Sequence, residues 1–258
     1  MTPSEQAVAH LGLKIGEQRI SVSVSVPQGP ATLREMLPAA QELTNAVVAA
    51  AEAAVAAEGR KISCTAGCGA CCRQLVPIAP SEAHYLAALV ERLPEPRRSQ
   101  VRERFAAAIS RLTQAGLIDA LRHPERLDEA MVTPFGLEYF RQGIPCPFLE
   151  QESCSIHPER PLACREHLVT SPAAYCADQS PKKVEGVMLP IKLSRVLRQL
   201  DQASHSAAPP WLPLILSLEW AAQDSAKPLA RPGPVWLRQF VERMTGKALS
   251  PFGETEGG

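Results

Sequence analysis

Eight cysteines, all between positions 64 and 176 of this 258-residue chain, are the residues with the clearest capacity for chemistry. Four of them fall within nine residues, and the other four are spread over a second stretch further along the chain. Thiolates that converge on one point bind zinc and iron centres. We therefore predict that all eight are metal ligands: Cys64, Cys68, Cys71, Cys72, Cys146, Cys154, Cys164 and Cys176.

The short spacing of the first group suits it to metal binding. Gly67 and Gly69 allow the chain to curl tightly and to approach a metal without a Cβ clash. If the following residues are helical, Cys68, Cys71 and Cys72 lie near one face. Adjacent residues on a helix point about 100° apart, so one of Cys71 and Cys72 would serve a second site, donate a weak hydrogen bond or pack as a small apolar side chain.

Basic side chains accompany the cysteines. Several thiolates around one divalent ion leave an excess of negative charge, which has to be offset in a buried site. Arg73, Arg160 and Arg165 each lie within a few residues of a cysteine, and we predict that they neutralise the site from its surroundings. His157 and His167 are reserve ligands for a mixed cysteine and histidine site.

Two other roles for the cysteines are weaker interpretations. Free cysteine is often buried as a small apolar residue, but a random scatter would not place four within nine positions. A disulfide framework is typical of secreted chains, whereas residues 1–6 lack a basic segment and no apolar segment of the signal-peptide type follows them. We accordingly predict a cytoplasmic protein with reduced thiols.

Composition narrows the range of partners. The chain has 27 Lys and Arg against 27 Asp and Glu, so it lacks the positive charge of a general nucleic-acid binder. It has no polybasic tract to hold an anionic membrane, and its longest stretch of low charge, residues 43–57, is too short and too polar to span a bilayer. We predict a metal ion as partner, without nucleic acid or membrane, while the sequence identifies no protein partner.

The elements that position these residues are mostly helical, and we predict a mainly α (α+β) fold. It would be a single domain over residues 1–258, with a β-hairpin over residues 11–26 that turns at residues 16–18. An alanine-rich apolar pattern predicts a helix over residues 31–58, in which Pro38 can introduce a kink and which Gly59 stops.

The rest of the chain divides into a cysteine-cluster region, residues 62–177, and C-terminal helices within residues 187–246. Apolar periodicity and helix-start residues predict helices at these positions: 81–93 with Ser81 as its N-cap, from about 97 onwards, 134–142, 190–203, 211–224 and 234–245.

The linked cysteine motifs resemble the CxxCxxCC (YkgJ-type) cysteine-cluster family. The likeness rests on Gly-Cys-Gly-Ala-Cys-Cys-Arg at 67–73, on Cys-Pro-Phe-Leu at 146–149 and on Arg-Pro-Leu-Ala-Cys-Arg at 160–165, and it covers about residues 62–177. It implies a zinc- or iron-chelating domain in which the eight cysteines match the family's cysteine positions. Three residues separate Cys64 from Cys68 where the family usually has two, and His157 stands where Tyr is common.

The resemblance implies metal binding without a settled reaction, and two alternatives stay open. One is an iron–sulfur protein with redox or S-adenosylmethionine/methyl-transfer-type chemistry, since Cys64-x3-Cys68-x2-Cys71 has the spacing of the radical-SAM motif. A [4Fe–4S] cluster is the cofactor this would need. Ala70 stands where that motif usually has an aromatic residue, and repeated βα units are missing. The other is an interaction module with a purely structural metal, although Trp211, Trp220 and Trp236 are more simply explained as core residues.

No residue is assigned a catalytic role from the sequence, and whether the protein is an enzyme stays open. Ser81 and His84 lie on one helical face, but the sequence shows no acid to orient the histidine.

Overall fold

The computed structural model of the chain describes residues 5–15, 18–178, 183–204 and 209–247. These residues form a mainly α fold with a long antiparallel β-hairpin at the N-terminal end, which confirms the predicted fold class. Among the described helices, none combines the length and the apolar character that crossing a membrane requires.

The hairpin consists of β1 (Gln6–Ile15) and β2 (Gln18–Pro27), and it is longer than the predicted 11–26. The strands pair antiparallel, with Leu13 opposite Ile20. Apolar side chains alternate with polar ones, so one face of the hairpin packs into the core. The predicted turn includes Gly16 and Glu17, which lie outside the described residues.

The first long helix, α1 (Leu37–Ala57), begins six residues later than predicted. The preceding Pro30 and Ala31 form a short strand, β3, which pairs with β8 (Arg231–Pro232). Pro38 lies in the first turn of α1, where a missing N–H removes no helical hydrogen bond, so it introduces no kink. Gly59 follows the helix at φ 72°, in the left-handed region that ends many helices.

Short helices make up most of the remaining fold. They are α2 (Pro80–Arg92), α3 (Arg97–Gln114), α4 (Ile118–Arg122), α5 (Glu129–Arg141), α6 (Leu162–Arg165), α7 (Leu193–Ser204), α8 (Ser217–Gln223) and α9 (Gly233–Thr245). Two small antiparallel pairs lie between them: β4 (Pro77–Ile78) with β7 (Leu212–Pro213), and β5 (Leu149–Glu150) with β6 (Ser153–Cys154).

Two of the helix predictions are wrong in extent. The helix expected over 134–142 begins at Glu129 and contains Pro134 in its interior. The segment expected to be helical over 211–224 instead begins with β7 and a 3-10 turn, and only its second half, α8, is an α-helix. In both cases a helix was expected to begin at or just after a proline, and the α-helix in the structure begins elsewhere.

Three apolar clusters form the core. The largest joins the hairpin with α1, α7 and α9, and it contains Trp236, which is 1% exposed and donates a hydrogen bond from Nε1 to the Ala31 carbonyl oxygen at 2.7 Å. The second joins α2 and α3 with Phe148 and Ile156, which stand between cysteines of the second group. The third lies around the end of α3, α4 and α5. Trp211 and Trp220 are only half-buried.

Helix α2 is fixed at its N-terminus by contacts that differ from the predicted Ser81 cap. Its N-cap is Ala79, and the backbone N–H of Ala79 donates to the Glu82 carboxylate at 2.8 Å. Ser81 lies inside the first turn because Pro80 starts the helix, so its backbone N–H and hydroxyl both donate to Asp201 Oδ2, at 3.0 and 2.7 Å. This buried carboxylate therefore joins α7 to the start of α2.

We expect Asp201→Ala to lower the free energy of unfolding by about 1–3 kcal/mol, because it leaves two buried donors of Ser81 without their acceptor. Urea denaturation followed by circular dichroism measures the change. The exposed Glu103 on α3 provides the control: Glu103→Ala should stay within about 0.5 kcal/mol of the wild type. Equal stabilities for the two variants would contradict the structural role of Asp201.

Candidate metal centre

The first cysteine group lies in the connection between α1 and β4, which forms successive turns rather than a helix. Cys68 N donates to Thr65 O at 3.1 Å, and Cys72 N donates to Gly69 O at 2.9 Å. The helix considered for this run is therefore wrong. Gly67, at φ 88°, breaks the helical conformation in the middle of the run.

The second group is distributed over four different local structures. Cys146 follows α5 in a loop, and Cys154 lies in β6 of the small β5–β6 hairpin. Cys164 lies in α6, whose short helical turn begins directly after Pro161, and Cys176 lies in the 3-10 turn Ala173–Ala177.

The structure brings the two groups together. Cys146 N donates to the Cys72 carbonyl oxygen at 2.7 Å, which places one cysteine of each group at the same backbone contact. The Arg73 guanidinium holds both carboxylate oxygens of Glu152, at 3.0 and 2.7 Å, across 79 positions of sequence. This meeting of two distant cysteine stretches is what the metal-site prediction requires.

A glycine makes this contact possible. A Cβ on Gly69 would overlap the backbone carbonyl oxygen of Glu152 and lie 2.6 Å from Leu149 Cδ1. The first group therefore packs directly against the backbone of the β5–β6 hairpin that carries Cys154. The sequence analysis expected Gly69 to let the backbone approach a metal closely. In the structure Gly69 does allow a close approach, but to the backbone of Glu152.

A cavity of about 180 Å³ lies between the two groups. Its lining includes six cysteines, two histidines and one arginine: Cys68, Cys71, Cys72, Cys146, Cys154, Cys164, His157, His167 and Arg160. Cys64 and Cys176 lie outside this lining, and both contact His167. All eight cysteines are free thiols.

The donor types around the cavity fit zinc or iron, since both metals take thiolate and imidazole ligands. Within the described ranges, no three Cys, His, Asp or Glu side chains converge closely enough to hold an ion as they stand. A metal held in this cavity would need the sulfurs that line it to come closer together. For cysteine this is a rotation about one bond between staggered positions, which leaves the backbone in place.

Burial holds most of the thiols in the protonated form. It raises the pKa of Cys146 to about 12 and that of Cys176 to about 11, and it also raises the pKa values of Cys64, Cys154 and Cys164. A metal that binds these sulfurs has to displace their protons, so its affinity falls as the pH falls.

Cys71 is the exception. Its pKa is lowered to about 7, first because the Cys72 thiol donates a hydrogen bond to its sulfur, and further because of the Arg160 charge. The same hydrogen bond raises the pKa of Cys72, which keeps its proton. The charge of Cys71 also raises the pKa values of Cys64 in the first group and of Cys164 and Cys176 in the second.

The three arginines differ in their surroundings. Arg73 is paired with Glu152 at the surface. Arg165 is 7% exposed and donates to the Arg160 carbonyl oxygen at 3.1 Å, to Asn45 Oδ1 at 3.1 Å and to the Pro158 carbonyl oxygen, so it ties this loop to α1. Their proposed neutralising role stays a prediction, and for these two the structure gives the guanidinium other partners.

Arg160 is the arginine that lines the cavity. Its Nη1 lies 2.7 Å from His157 Nε2, and burial together with the Arg160 charge lowers the pKa of His157. The imidazole is therefore neutral and accepts a hydrogen bond from the guanidinium. Among the described residues, the buried Nε of Arg160 has no hydrogen-bond partner, and an anionic centre in the cavity would give this donor an acceptor.

Comparison with known proteins gives one match. Residues 63–184 match the model of the CxxCxxCC family, whose description is "putative zinc- or iron-chelating domain". This segment, just under half of the chain, is similar to a CxxCxxCC domain. The resemblance drawn from the motifs, over about residues 62–177, is confirmed. The match supports metal binding, with zinc or iron as the metal, and no curated protein or solved structure matches the chain.

Glu82 supports the CxxCxxCC domain from outside the cysteine motifs, and the sequence analysis did not identify it. Its side chain is 3% exposed, and its two oxygens accept from Ala79 N and Leu162 N, each at 2.8 Å. It thus joins α2 to α6, the helix that carries Cys164. Burial raises the pKa of Glu82 to about 7. A Glu at the third helical position of α2 is a sequence signal of helix capping that could have indicated half of this role.

We expect Gly69→Ala to destabilise the CxxCxxCC domain by about 1–3 kcal/mol, because the added methyl group overlaps the Glu152 backbone. Thermal unfolding measures the effect. Gly136→Ala in α5 is the matched control, since a Cβ there meets nothing within 4 Å, and alanine in a helix should raise stability by about 0.5–1 kcal/mol. A Gly69→Ala protein as stable as the wild type would show that the two groups do not pack this closely.

The raised pKa of Glu82 predicts a pH dependence of stability. The folded chain keeps this proton up to about pH 7, whereas the unfolded chain loses it near pH 4.5, so this group's contribution to stability falls as the pH rises from 4.5 to 7. In Glu82→Gln this loss is absent. The stability difference between wild type and variant should therefore change across this window in urea denaturation, while Gly136→Ala, which changes no ionisable group, runs parallel to the wild type. Parallel curves for Glu82→Gln would contradict the buried carboxyl.

Proposed function

We propose that the CxxCxxCC domain binds zinc or iron through thiolates that line the cavity between its two cysteine groups. The observation that carries this proposal is the cavity lining itself: six thiols from both groups surround a space of about 180 Å³. Such a lining suits a cation, because the thiolates formed when these sulfurs lose their protons repel each other unless a positive charge neutralises them.

We assign the ligands of this centre to Cys71, Cys146, Cys154 and Cys164. All four line the cavity, and the charges of the first three raise the pKa of the Cys164 thiol, which supports their proximity. Cys72 is then a hydrogen-bond donor to the Cys71 sulfur rather than a fifth ligand. Arg160 offsets part of the negative charge of the four thiolates from the wall of the cavity.

The chemistry that the metal supplies here is cross-linking of two distant stretches of chain. Four thiolates complete the tetrahedral coordination of zinc, which is the arrangement of a structural site. Because the centre closes a loop of about 75 residues, its binding energy contributes to folding of the domain. The same four sulfurs also match the ligand set of a [4Fe–4S] cluster, and the choice between the two is an outcome of the experiment below. We place the protein in the cytoplasm, where thiols stay reduced.

We expect Cys154→Ser and Cys164→Ser to lose the metal of this centre and to unfold at a lower temperature than the wild type. Elemental analysis of protein purified without oxygen measures zinc and iron, and visible absorption separates an iron–sulfur cluster from colourless zinc. Ala163→Ser is the matched control: it adds a hydroxyl to the same cavity wall and keeps every thiol, so metal content should be unchanged. Unchanged zinc and iron in both cysteine variants would contradict the proposal.

A further inference from the structure

A second cavity, of about 250 Å³, lies away from the cysteines and shares no lining residue with the cavity between the two cysteine groups. It is bordered by α2, α7 and α8, by the residues that follow β3, and by the segment between α8 and β8. Because a protein cavity of about 150 Å³ accommodates benzene, this one has room for a molecule of about ten non-hydrogen atoms. Its size therefore suits a small molecule.

The structure gives His84 the acidic partner that the sequence did not reveal. His84 Nε2 lies 2.8 Å from Asp224 Oδ2, and the imidazole makes an edge contact with Trp220 at 5.2 Å between ring centroids. An ionised carboxylate only accepts hydrogen bonds, so Nε2 carries the proton. Among the described residues the other ring nitrogen, Nδ1, has no hydrogen-bond partner. In the neutral imidazole this nitrogen is an acceptor, and all three residues line the cavity.

The hydroxyl groups of the lining donate their protons inside the protein. The acceptors are Glu35 for Thr32, Asp201 for Ser81 and the Leu200 carbonyl oxygen for Ser204, at 2.8, 2.7 and 2.7 Å. Since a hydroxyl has one proton and two lone pairs, these oxygens have only acceptor capacity left for a ligand. The Ser81 proton goes to Asp201 and not to His84, so Ser81 and His84 do not form a nucleophile with its base.

Two buried carboxylates give the interior of this cavity negative charge. Asp201 is 8% exposed, and the side chain of Asp224 is 13% exposed. Arg34 also lines the cavity, but it is exposed, so solvent screens its charge more strongly than the charges of the buried aspartates. Coulomb attraction therefore favours a positively charged ligand.

The rest of the wall is apolar. Leu33, Pro80 and Leu229 contribute hydrocarbon surface, and Trp220 contributes an aromatic ring. Tryptophan is the aromatic side chain that attracts cations most strongly through its ring face. The wall thus offers contacts to both the charged group and the hydrocarbon part of a ligand.

We propose that the cavity bordered by α2, α7 and α8 binds a small organic cation, namely a primary amine or a guanidinium compound with an apolar body. A protonated amine carries three hydrogen-bond donors and no acceptor, which complements a lining whose buried polar groups accept. Its charge complements Asp201 and Asp224, and its hydrocarbon part packs against Trp220. This function is separate from metal binding and does not depend on it.

Titration calorimetry of the full-length protein with three ligands of similar shape tests the charge requirement. Benzylamine, benzyl alcohol and benzoate share a phenyl ring and differ in charge. We expect benzylamine to bind at least about tenfold more tightly than benzyl alcohol, because hydrogen bonds and contacts with charged partners are stronger, and we expect no binding of benzoate. Equal affinities for the amine and the alcohol, or no binding of the amine, would overturn the proposal.

An isosteric substitution tests the role of the buried carboxylate. Asp224→Asn should weaken benzylamine binding by at least about tenfold and leave the affinity for benzyl alcohol unchanged, since it removes a charge and keeps the shape of the wall. Asp119→Asn on α4 is the matched control: this side chain is 78% exposed and lies outside the cavity lining, so benzylamine affinity should not change. Benzylamine binding by Asp224→Asn as tight as that of the wild type would contradict the assignment.

Tryptophan fluorescence tests the position of the ligand. Benzylamine should change the emission of the wild type, and this change should disappear in Trp220→Phe, which keeps an aromatic ring in the wall and still binds the amine in calorimetry. A fluorescence change that persists in Trp220→Phe would place the ligand elsewhere and overturn the site. Because this variant alters no ionisable group, it also decides the question if Asp224→Asn fails to fold.

Discussion

The contact between the Gly69 turn and the β5–β6 hairpin is the constraint on which the cysteine-rich region depends. Cys72 and Cys146 meet there through a backbone hydrogen bond, and the absence of a side chain at Gly69 lets the two stretches touch. Each flanking stretch is held by different apolar clusters: α1 belongs to the largest one, whereas Phe148 and Ile156 belong to the cluster of α2 and α3. The cysteines therefore lie at the boundary between two apolar clusters of the core, where a bound metal would cross-link them.

Burial of many thiols at this boundary limits how many of them can be negatively charged at once. In the low dielectric of the interior, several thiolates cannot coexist without a compensating cation, and burial accordingly keeps the thiols protonated. Arg160 supplies one positive charge, and Cys71 is the sulfur best able to lose its proton. The site is thus arranged so that deprotonation and metal binding occur together.

The parts of the structure that follow local patterns could be predicted from the sequence. The alternation in β1 and β2 and the apolar stripe of α3 are short-range signals, and the paired cysteine motifs indicated the domain. Residues whose roles depend on distant partners could not be predicted: Ser81 binds Asp201 on α7, and Arg165 binds Asn45 on α1. The conformation of the first cysteine run was also missed, because its turns are stabilised by packing against a hairpin that lies 79 positions away. Proline was also misleading, since its effect depends on its place within a helix: Pro38 does not kink α1, and Pro134 does not begin α5.

Glu82 has a further consequence for how the domain opens. One carboxylate accepts the amide protons of both Ala79 and Leu162, so the first turns of α2 and α6 share a single acceptor group. Rotation of that side chain releases both amides in the same event. Partial unfolding at the start of α2 therefore exposes the helix of Cys164 as well, and hydrogen exchange at these two amides would report one cooperative fluctuation rather than two independent ones.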